Sequence, residues 1–293
     1  MCGLATLGCD AASPKEPAPP APSDAPLPPA SASSSSEVVR DPGGETAVSA
    51  SPGHGGSSPP RYVLLLHGLG GSGAKLARHF SFGALSRELG FTFEAPDGDV
   101  DASGRAFWNA GPACCDFDGR GVDHVARLGQ MLEQARARLG PDARLFVVGY
   151  SNGGFMAHRL ACDRAGIDGI LSVAGPSPLS VTSCDHAPRR VLHVHGDADD
   201  VVAFEGGHVF QTSSPHASAE TSVLAWAKRS GCDAPLSARG ALDLERTLEG
   251  PETLVMSPPC DPRRVLFRVR GGSHAVAAGD GAMRVLLREL FAE

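Results

Sequence analysis

One serine stands where a strand should break into a helix. Gly149-Tyr150-Ser151-Asn152-Gly153 follows the apolar run Leu145–Val148 and precedes Phe155 to Cys162, which are apolar at helical spacing. A tight, small-residue turn lifts a hydroxyl clear of the backbone. The first N–H groups of the next helix then face any negative charge that develops there. Those are the surroundings a nucleophilic serine needs. A bare G-x-S-x-G means little in a chain with 36 glycines; the strand before it and the helix after it give it meaning. The plain alternative is a glycine-rich turn without chemistry.

A developing oxyanion needs a second donor from another loop. His67-Gly68-Leu69-Gly70-Gly71-Ser72 ends an earlier apolar run, and its glycines permit close backbone approach. The N–H groups of Leu69 and Asn152 are therefore the expected donors. The serine also needs a base, and the base an orienting acid. His274, in Gly271-Gly272-Ser273-His274, follows the run Val265–Val269 and is the only histidine beyond position 216. Asp197, Asp199 and Asp200 follow the run Val191–Val194, and spacing does not choose among them. His193-Val194-His195-Gly196-Asp197 also has the H-x-H-x-D form of a zinc-ligand set. Against it, Ala198 stands where dinuclear hydrolases place another histidine, and His193 and His195 alternate with apolar residues as packed side chains do. No metal is expected. His67 and Trp108 are candidates for the wall of a substrate pocket, although Phe107-Trp108 also reads as simple packing.

The elements that must position these residues alternate in type. Tyr62–Leu66 reads as a strand buried on both faces, residues 74–89 as a helix stopped by Gly90, and 91–95 as a short strand. Val122, Val125, Leu128, Met131, Leu132, Ala135 and Leu139 recur at helical spacing, with Gly140-Pro141 as the stop. Runs at 145–148, 169–174, 191–194 and 265–269 read as strands, and Met283, Leu286, Leu287, Leu290 and Phe291 share one face of a last helix. Strands without polar alternation, separated by helices, imply an α/β domain with a parallel sheet covered on both sides.

Composition bounds the rest. Of 293 residues, 42% are hydrophobic and 20% charged, as in a globular protein. The net charge of −7 argues against a nucleic-acid binder, and no run reaches the length of a spanning helix. Residues 1–60 differ: they hold 12 of the 24 prolines and no aromatic residue, and so read as a disordered Pro/Ser-rich tether before a domain at 61–293. Leu4-Ala5-Thr6-Leu7-Gly8-Cys9 resembles the end of a bacterial lipoprotein signal, which would make a lipid on Cys9 the one membrane attachment. No charged segment precedes it and the apolar stretch is short, so a chance cysteine in a disordered leader is the other reading.

Taken together, the motifs resemble the polyhydroxybutyrate depolymerase family of secreted esterases, which includes feruloyl and acetylxylan esterases. They are His67-Gly68 with Gly70-Gly71-Ser72, Pro96-Asp97-Gly98, Trp108-Asn109, Cys114-Cys115-Asp116, Ser151-Asn152-Gly153-Gly154 continuing to Cys162, His195-Gly196 with Ala198-Asp199, and Gly271-Gly272 with His274. The resemblance spans about residues 61 to 276. It implies an α/β-hydrolase fold with a mostly parallel central sheet and helices on both faces, no cofactor, and an ester substrate. The substrate would be a polyester, an acylated polysaccharide or a small ester, in a secreted or cell-envelope protein. It also implies Asp199 as the acid beside Ser151 and His274, and a disulfide between Cys232 and Cys260. For Cys114, Cys115, Cys162 and Cys184 three pairings remain open. Two departures stand out. Ala275-Val276-Ala277 replaces the family's Thr-Trp-Pro, removing an aromatic wall, and Asp123-His124 replaces a paired aspartate. The other class of function consistent with the fold is a surface-anchored polymer-binding protein without activity.

Overall fold

The computed structural model describes residues 47–48, 58–177, 183–210, 212–276 and 279–293. Cys9 and most of the proline-rich tether lie outside the described residues. Ala47–Val48 (β1), from within that leader, pairs antiparallel with Thr92–Ala95 (β3) and forms one edge of the main sheet.

Six parallel strands make the centre of the sheet, in the order β3, Arg61–Leu66 (β2), Arg144–Tyr150 (β6), Gly169–Val173 (β7), Arg190–Gly196 (β8) and Arg264–Val269 (β11). Thr253–Ser257 (β10) and Ser237–Leu242 (β9) extend it antiparallel beyond β11. A separate two-stranded ribbon joins Asp99–Val100 (β4) to Ala106–Phe107 (β5). Alternate residues of each central strand enter opposite layers. Val63, Leu65, Phe146, Val148 and Leu192 pack with Phe80, Phe82, Leu85, Met283 and Leu286, from the helix Gly73–His79 (α1) with its capping residue Phe80, and from Phe82–Leu89 (α2) and Asp280–Phe291 (α6). Tyr62, Leu64, Leu66, Val147 and Val191 pack with Leu128, Leu132, Phe155, Leu160 and Trp226, from His124–Leu139 (α3), Asn152–Asp163 (α4) and Ala219–Arg229 (α5). Burial on both faces is why the strands read as unbroken apolar runs.

The helix expected over 74–89 is two helices. Ser81 adopts a left-handed backbone at φ 54°, and the break lets Phe80 and Phe82 both enter the core, where each is fully buried. In one continuous helix these residues would lie about 200° apart, and one would face away. The segment 219–257, for which no element was read, holds α5 and the two antiparallel strands. β9 is exposed along nearly its whole length, so no buried run marks it.

The cysteines pair as Cys114–Cys115, Cys162–Cys184 and Cys232–Cys260. The last joins the turn after α5 to the turn before β11 and closes 28 residues. In the loop-entropy account such a closure contributes about 3–4 kcal/mol. Replacing Cys232 and Cys260 together by alanine is expected to lower the thermal unfolding midpoint by roughly 10 °C, measured by circular dichroism without reductant. An unchanged midpoint would show that the bridge constrains nothing the core does not already hold.

Candidate active site

The register of the parallel strands brings three distant loops to one place. Tyr150 lies beside Val173, Val173 beside Val194, and Gly196 beside Val269, so the chain leaves β6, β8 and β11 on the same edge of the sheet. Ser151 follows β6, Asp199 follows β8, and His274 follows β11.

Ser151 sits between strand and helix with φ 53° and ψ −119°, a conformation that costs a non-glycine residue strain. Its own N–H donates to the Val173 carbonyl at 2.8 Å and its carbonyl accepts from Gly154 at 2.8 Å, which fix it from both sides. The neighbouring glycines are needed for space. A Cβ at Gly149 would collide with the Gly153 backbone, and a Cβ at Gly153 with the Leu66 carbonyl.

His274 lies between serine and aspartate. Its Nε2 is 2.9 Å from the Ser151 hydroxyl and its Nδ1 is 2.8 Å from Asp199 Oδ2. The other carboxylate oxygen of Asp199 accepts the Val201 and Val202 N–H groups at 2.9 and 2.8 Å, and the side chain is fully enclosed. Burial works to raise its pKa, but hydrogen bonds from His195 and His274, the nearby imidazole and the Val202 N–H together hold it well below the usual carboxylate range. Asp197 instead pairs with Arg268 at 3.0 Å and accepts the Gly271 N–H at 2.7 Å, tying the histidine loop down, while Asp200 points to solvent. Tyr150 packs against the His274 ring at 5.5 Å and donates its hydroxyl to the His274 carbonyl at 3.3 Å. Burial, assisted by Asp199, pushes the phenol pKa to about 12.

The expected oxyanion donors come from two loops that are bolted together. Asn152 and Trp108 form a reciprocal pair: the Trp108 N–H donates to Asn152 Oδ1 at 2.7 Å, and Asn152 Nδ2 donates to the Trp108 carbonyl at 2.8 Å. The Trp108 indole donates to the His67 carbonyl at 2.9 Å. His67 Nε2 accepts the Gly98 N–H at 2.9 Å, which leaves Nδ1 to donate to the Gly68 carbonyl at 2.7 Å. This corrects the pocket reading. His67 and Trp108 are 1% and 0% exposed, so they brace the loop that carries Leu69 and offer no surface to a substrate. The Cys114–Cys115 pair abuts the same place, with Asn152 Nδ2 3.5 Å from Cys114 Sγ. The Leu69 and Asn152 N–H groups have no acceptor among the described residues.

The H-x-H-x-D residues do not converge. His193 Nε2 and His195 Nδ1 lie 3.0 Å apart and bond to each other, and Asp197 is turned to Arg268. Among the described residues no three His, Cys, Asp or Glu side chains are arranged to hold a metal ion. The residue that the sequence reading placed elsewhere is His195: its Nε2 stands 3.2 Å from Asp199 Oδ2. Its four-residue distance from Asp199 was visible, but only the fold turns both inward.

Buried groups make the protein acid-sensitive in a defined direction. Burial lowers the His158 pKa from 6.5 to about 3, so between those values the unfolded chain binds a proton that the folded one refuses. Stability is therefore intact above pH 6.5 and falls as pH drops toward 3, by on the order of 2–4 kcal/mol from this group. Asp199 acts in the same sense at lower pH, where its carboxylate must be protonated. Thermal unfolding across pH 7 to 4 should show this slope, and His158→Asn should reduce it in part, because burial also lowers His193 and His216; an equal slope in the variant would place the acid sensitivity elsewhere.

No family model matches the chain. In sequence it is 30% identical over 240 residues to "Putative esterase NocK" of Nocardia uniformis subsp. tsuyamanensis, covering 74% of this chain and 65% of that one. It is 33% identical over 151 residues to "Probable feruloyl esterase C" of Aspergillus clavatus, covering 50% of each. The chain thus spans between half and two thirds of the length of these curated relatives. Among solved structures, the acetyl xylan esterase of Aspergillus awamori superposes with a TM-score of 0.57 at 15% identity, over 85% of this chain and 95% of that one. The chain therefore has an α/β-hydrolase fold, and over part of their length it is similar in sequence to proteins named as esterases.

Proposed function

We propose that this chain is a serine esterase that works through an acyl-enzyme. The observation that carries the reading is the continuous line from Ser151 Oγ through His274 to Asp199, at 2.9 and 2.8 Å, ending on a serine in strained backbone at a helix N-terminus. Ser151 Oγ attacks the ester carbonyl as His274 Nε2 takes its proton. Asp199, kept ionised by its hydrogen bonds, steadies the imidazolium. The oxyanion is received by the Leu69 and Asn152 N–H groups, each such donor being worth about 3–4 kcal/mol of barrier. His274 then protonates the departing alcohol, and water, deprotonated by the same imidazole, releases the acid.

The substrate class is the finer part of the reading. The names of the relatives, feruloyl esterase and acetyl xylan esterase, support esters of small or aromatic acids carried on polysaccharide. The polyester implied by the motif resemblance is the rival within the same chemistry. Three disulfides suit an oxidising compartment, and no described helix is long and apolar enough to cross a membrane. A lipid on Cys9, which lies outside the described residues, would be the one means of attachment; a chance cysteine in the leader is the other reading.

Hydrolysis of p-nitrophenyl acetate, butyrate, octanoate and a feruloyl ester by wild type and Ser151→Ala tests the proposal. Wild type is expected to turn over, with the acetyl or feruloyl ester preferred, and Ser151→Ala to lose about 10⁴-fold or more in kcat. A folded wild type inert toward every ester would favour a polymer-binding protein instead. Asp199→Asn is expected to lose about as much, because an amide cannot hold the required imidazole tautomer.

A further inference from the structure

Apart from His67 and His124, four histidines are buried among the described residues, His158, His193, His195 and His216, and three of them carry a buried ring nitrogen without a hydrogen-bond partner: His158 Nε2, His193 Nδ1 and His216 Nε2. Buried polar atoms are rarely left so. His158 and His193 face each other with ring centroids 5.9 Å apart, and His193 lies within electrostatic reach of His158, His195 and His216 alike.

The hydrogen-bond partners decide every tautomer. An indole N–H can only donate, so Trp226 Nε1, 3.0 Å from His158 Nδ1, makes that nitrogen an acceptor and puts the His158 proton on Nε2. At the other end a carboxylate and a carbonyl can only accept. His195 Nε2, beside Asp199 Oδ2 at 3.2 Å and the Val202 carbonyl at 2.8 Å, therefore carries a proton. His195 Nδ1 is then an acceptor, His193 Nε2 donates to it across 3.0 Å, and His193 Nδ1 is left with a bare lone pair. His216 Nδ1 donates to the Ala217 carbonyl at 2.9 Å, so its Nε2 is also a bare lone pair. The three orphaned atoms are thus one donor and two acceptors, which is the complement of a single water molecule.

We propose that Trp226, His158, His193 and His195 are positioning residues, forming a one-way hydrogen-bond line from α5 through α4 and β8 into the Asp199 carboxylate, joined by one buried water shared among His158, His193 and His216. Every proton in the line points toward Asp199. His195 Nε2–H, bonded to the Val202 carbonyl at 2.8 Å, also faces at 3.2 Å the Asp199 oxygen to which His274 donates, while the Val201 and Val202 N–H groups hold the other, so the carboxylate is held beside His274 from three sides. A reversed His195 would set a lone pair against the carboxylate. A metal ion in the same cluster is disfavoured by the same bookkeeping of protons: it would need the lone pair of His158 Nε2, which Trp226 forces to be an N–H. The role assigned to the line rests on Asp199 being the triad acid; the line itself does not.

The test separates the two. In wild-type protein labelled with ¹⁵N-histidine, long-range ¹H–¹⁵N correlation at neutral pH should show His158, His193 and His195 protonated at Nε2 and His216 at Nδ1. A Nδ1–H tautomer at His158, His193 or His195 overturns the line whatever the enzyme hydrolyses. One equivalent of zinc retained after a chelator wash overturns the water. The role is read in kcat for p-nitrophenyl acetate. His193→Phe should lower kcat by roughly tenfold to 100-fold with KM unchanged, and His193→Gln, which restores a donor and an acceptor, should recover most of the loss. Equal kcat in a folded His193→Phe and the wild type, or no difference between the Phe and Gln variants, overturns the positioning role. Loss of all hydrolysis in Ser151→Ala bears on the esterase reading alone.

Discussion

Ser151 holds a backbone conformation that a non-glycine residue adopts at a cost of about 1–3 kcal/mol, and the arrangement of the whole site follows from keeping it there. The compensation is distributed. β7 takes the Ser151 N–H, α4 begins on the next residue, and Gly149 and Gly153 let the turn close against Leu66 and against itself. The strain has a geometric result: the hydroxyl stands off the sheet edge, within 2.9 Å of His274, while the same helix start aims the Asn152 N–H at the space beside it. A relaxed turn would point the hydroxyl along the chain and leave the imidazole without a partner.

The second feature is an enclosed carboxylate that is held in its ionised form. Asp199 is enclosed, which by itself would favour the neutral acid, yet two imidazoles and two backbone N–H groups converge on it. The direction of its pKa shift is decided by this count of donors, not by exposure. The neighbouring carboxylates show the contrast. Asp197, two residues earlier, is held by Arg268 and Gly271 and serves to anchor the histidine loop. One strand end thus supplies a carboxylate bonded to His274 and a structural tether from the same short run.

Bracing extends away from the chemistry on both sides. Trp108, His67 and Asn152 interlock the loop after β2 with the start of α4 through backbone and side-chain bonds, so the Leu69 and Asn152 N–H groups are positioned relative to each other by the fold itself. The Cys162–Cys184 and Cys232–Cys260 bridges secure the outer elements, α4 and the antiparallel edge. Large aromatic side chains are consequently used for rigidity, and the pocket reading of His67 and Trp108 failed against the packing reading for a physical reason: the partners that lock them in place lie 31 to 44 residues away.

By itself the sequence determined what is local. Apolar runs located the six parallel strands, helical spacing located α3, α4 and α6, and the strand–glycine–helix pattern located Ser151, while chain order left His274 with no competitor. The family motifs added Asp199 and the Cys232–Cys260 pair. The tertiary structure decided what depends on distance through space. It broke the helix expected over 74–89 into two so that Phe80 and Phe82 could share one core, built the antiparallel edge from strands with no continuous buried run to advertise them, paired the remaining cysteines, and set His195, read as a packed side chain, beside Asp199. Spacing along a chain fixes which face of an element a residue occupies, but a hydrogen bond needs a donor and an acceptor about 3 Å apart, and only folding sets that distance.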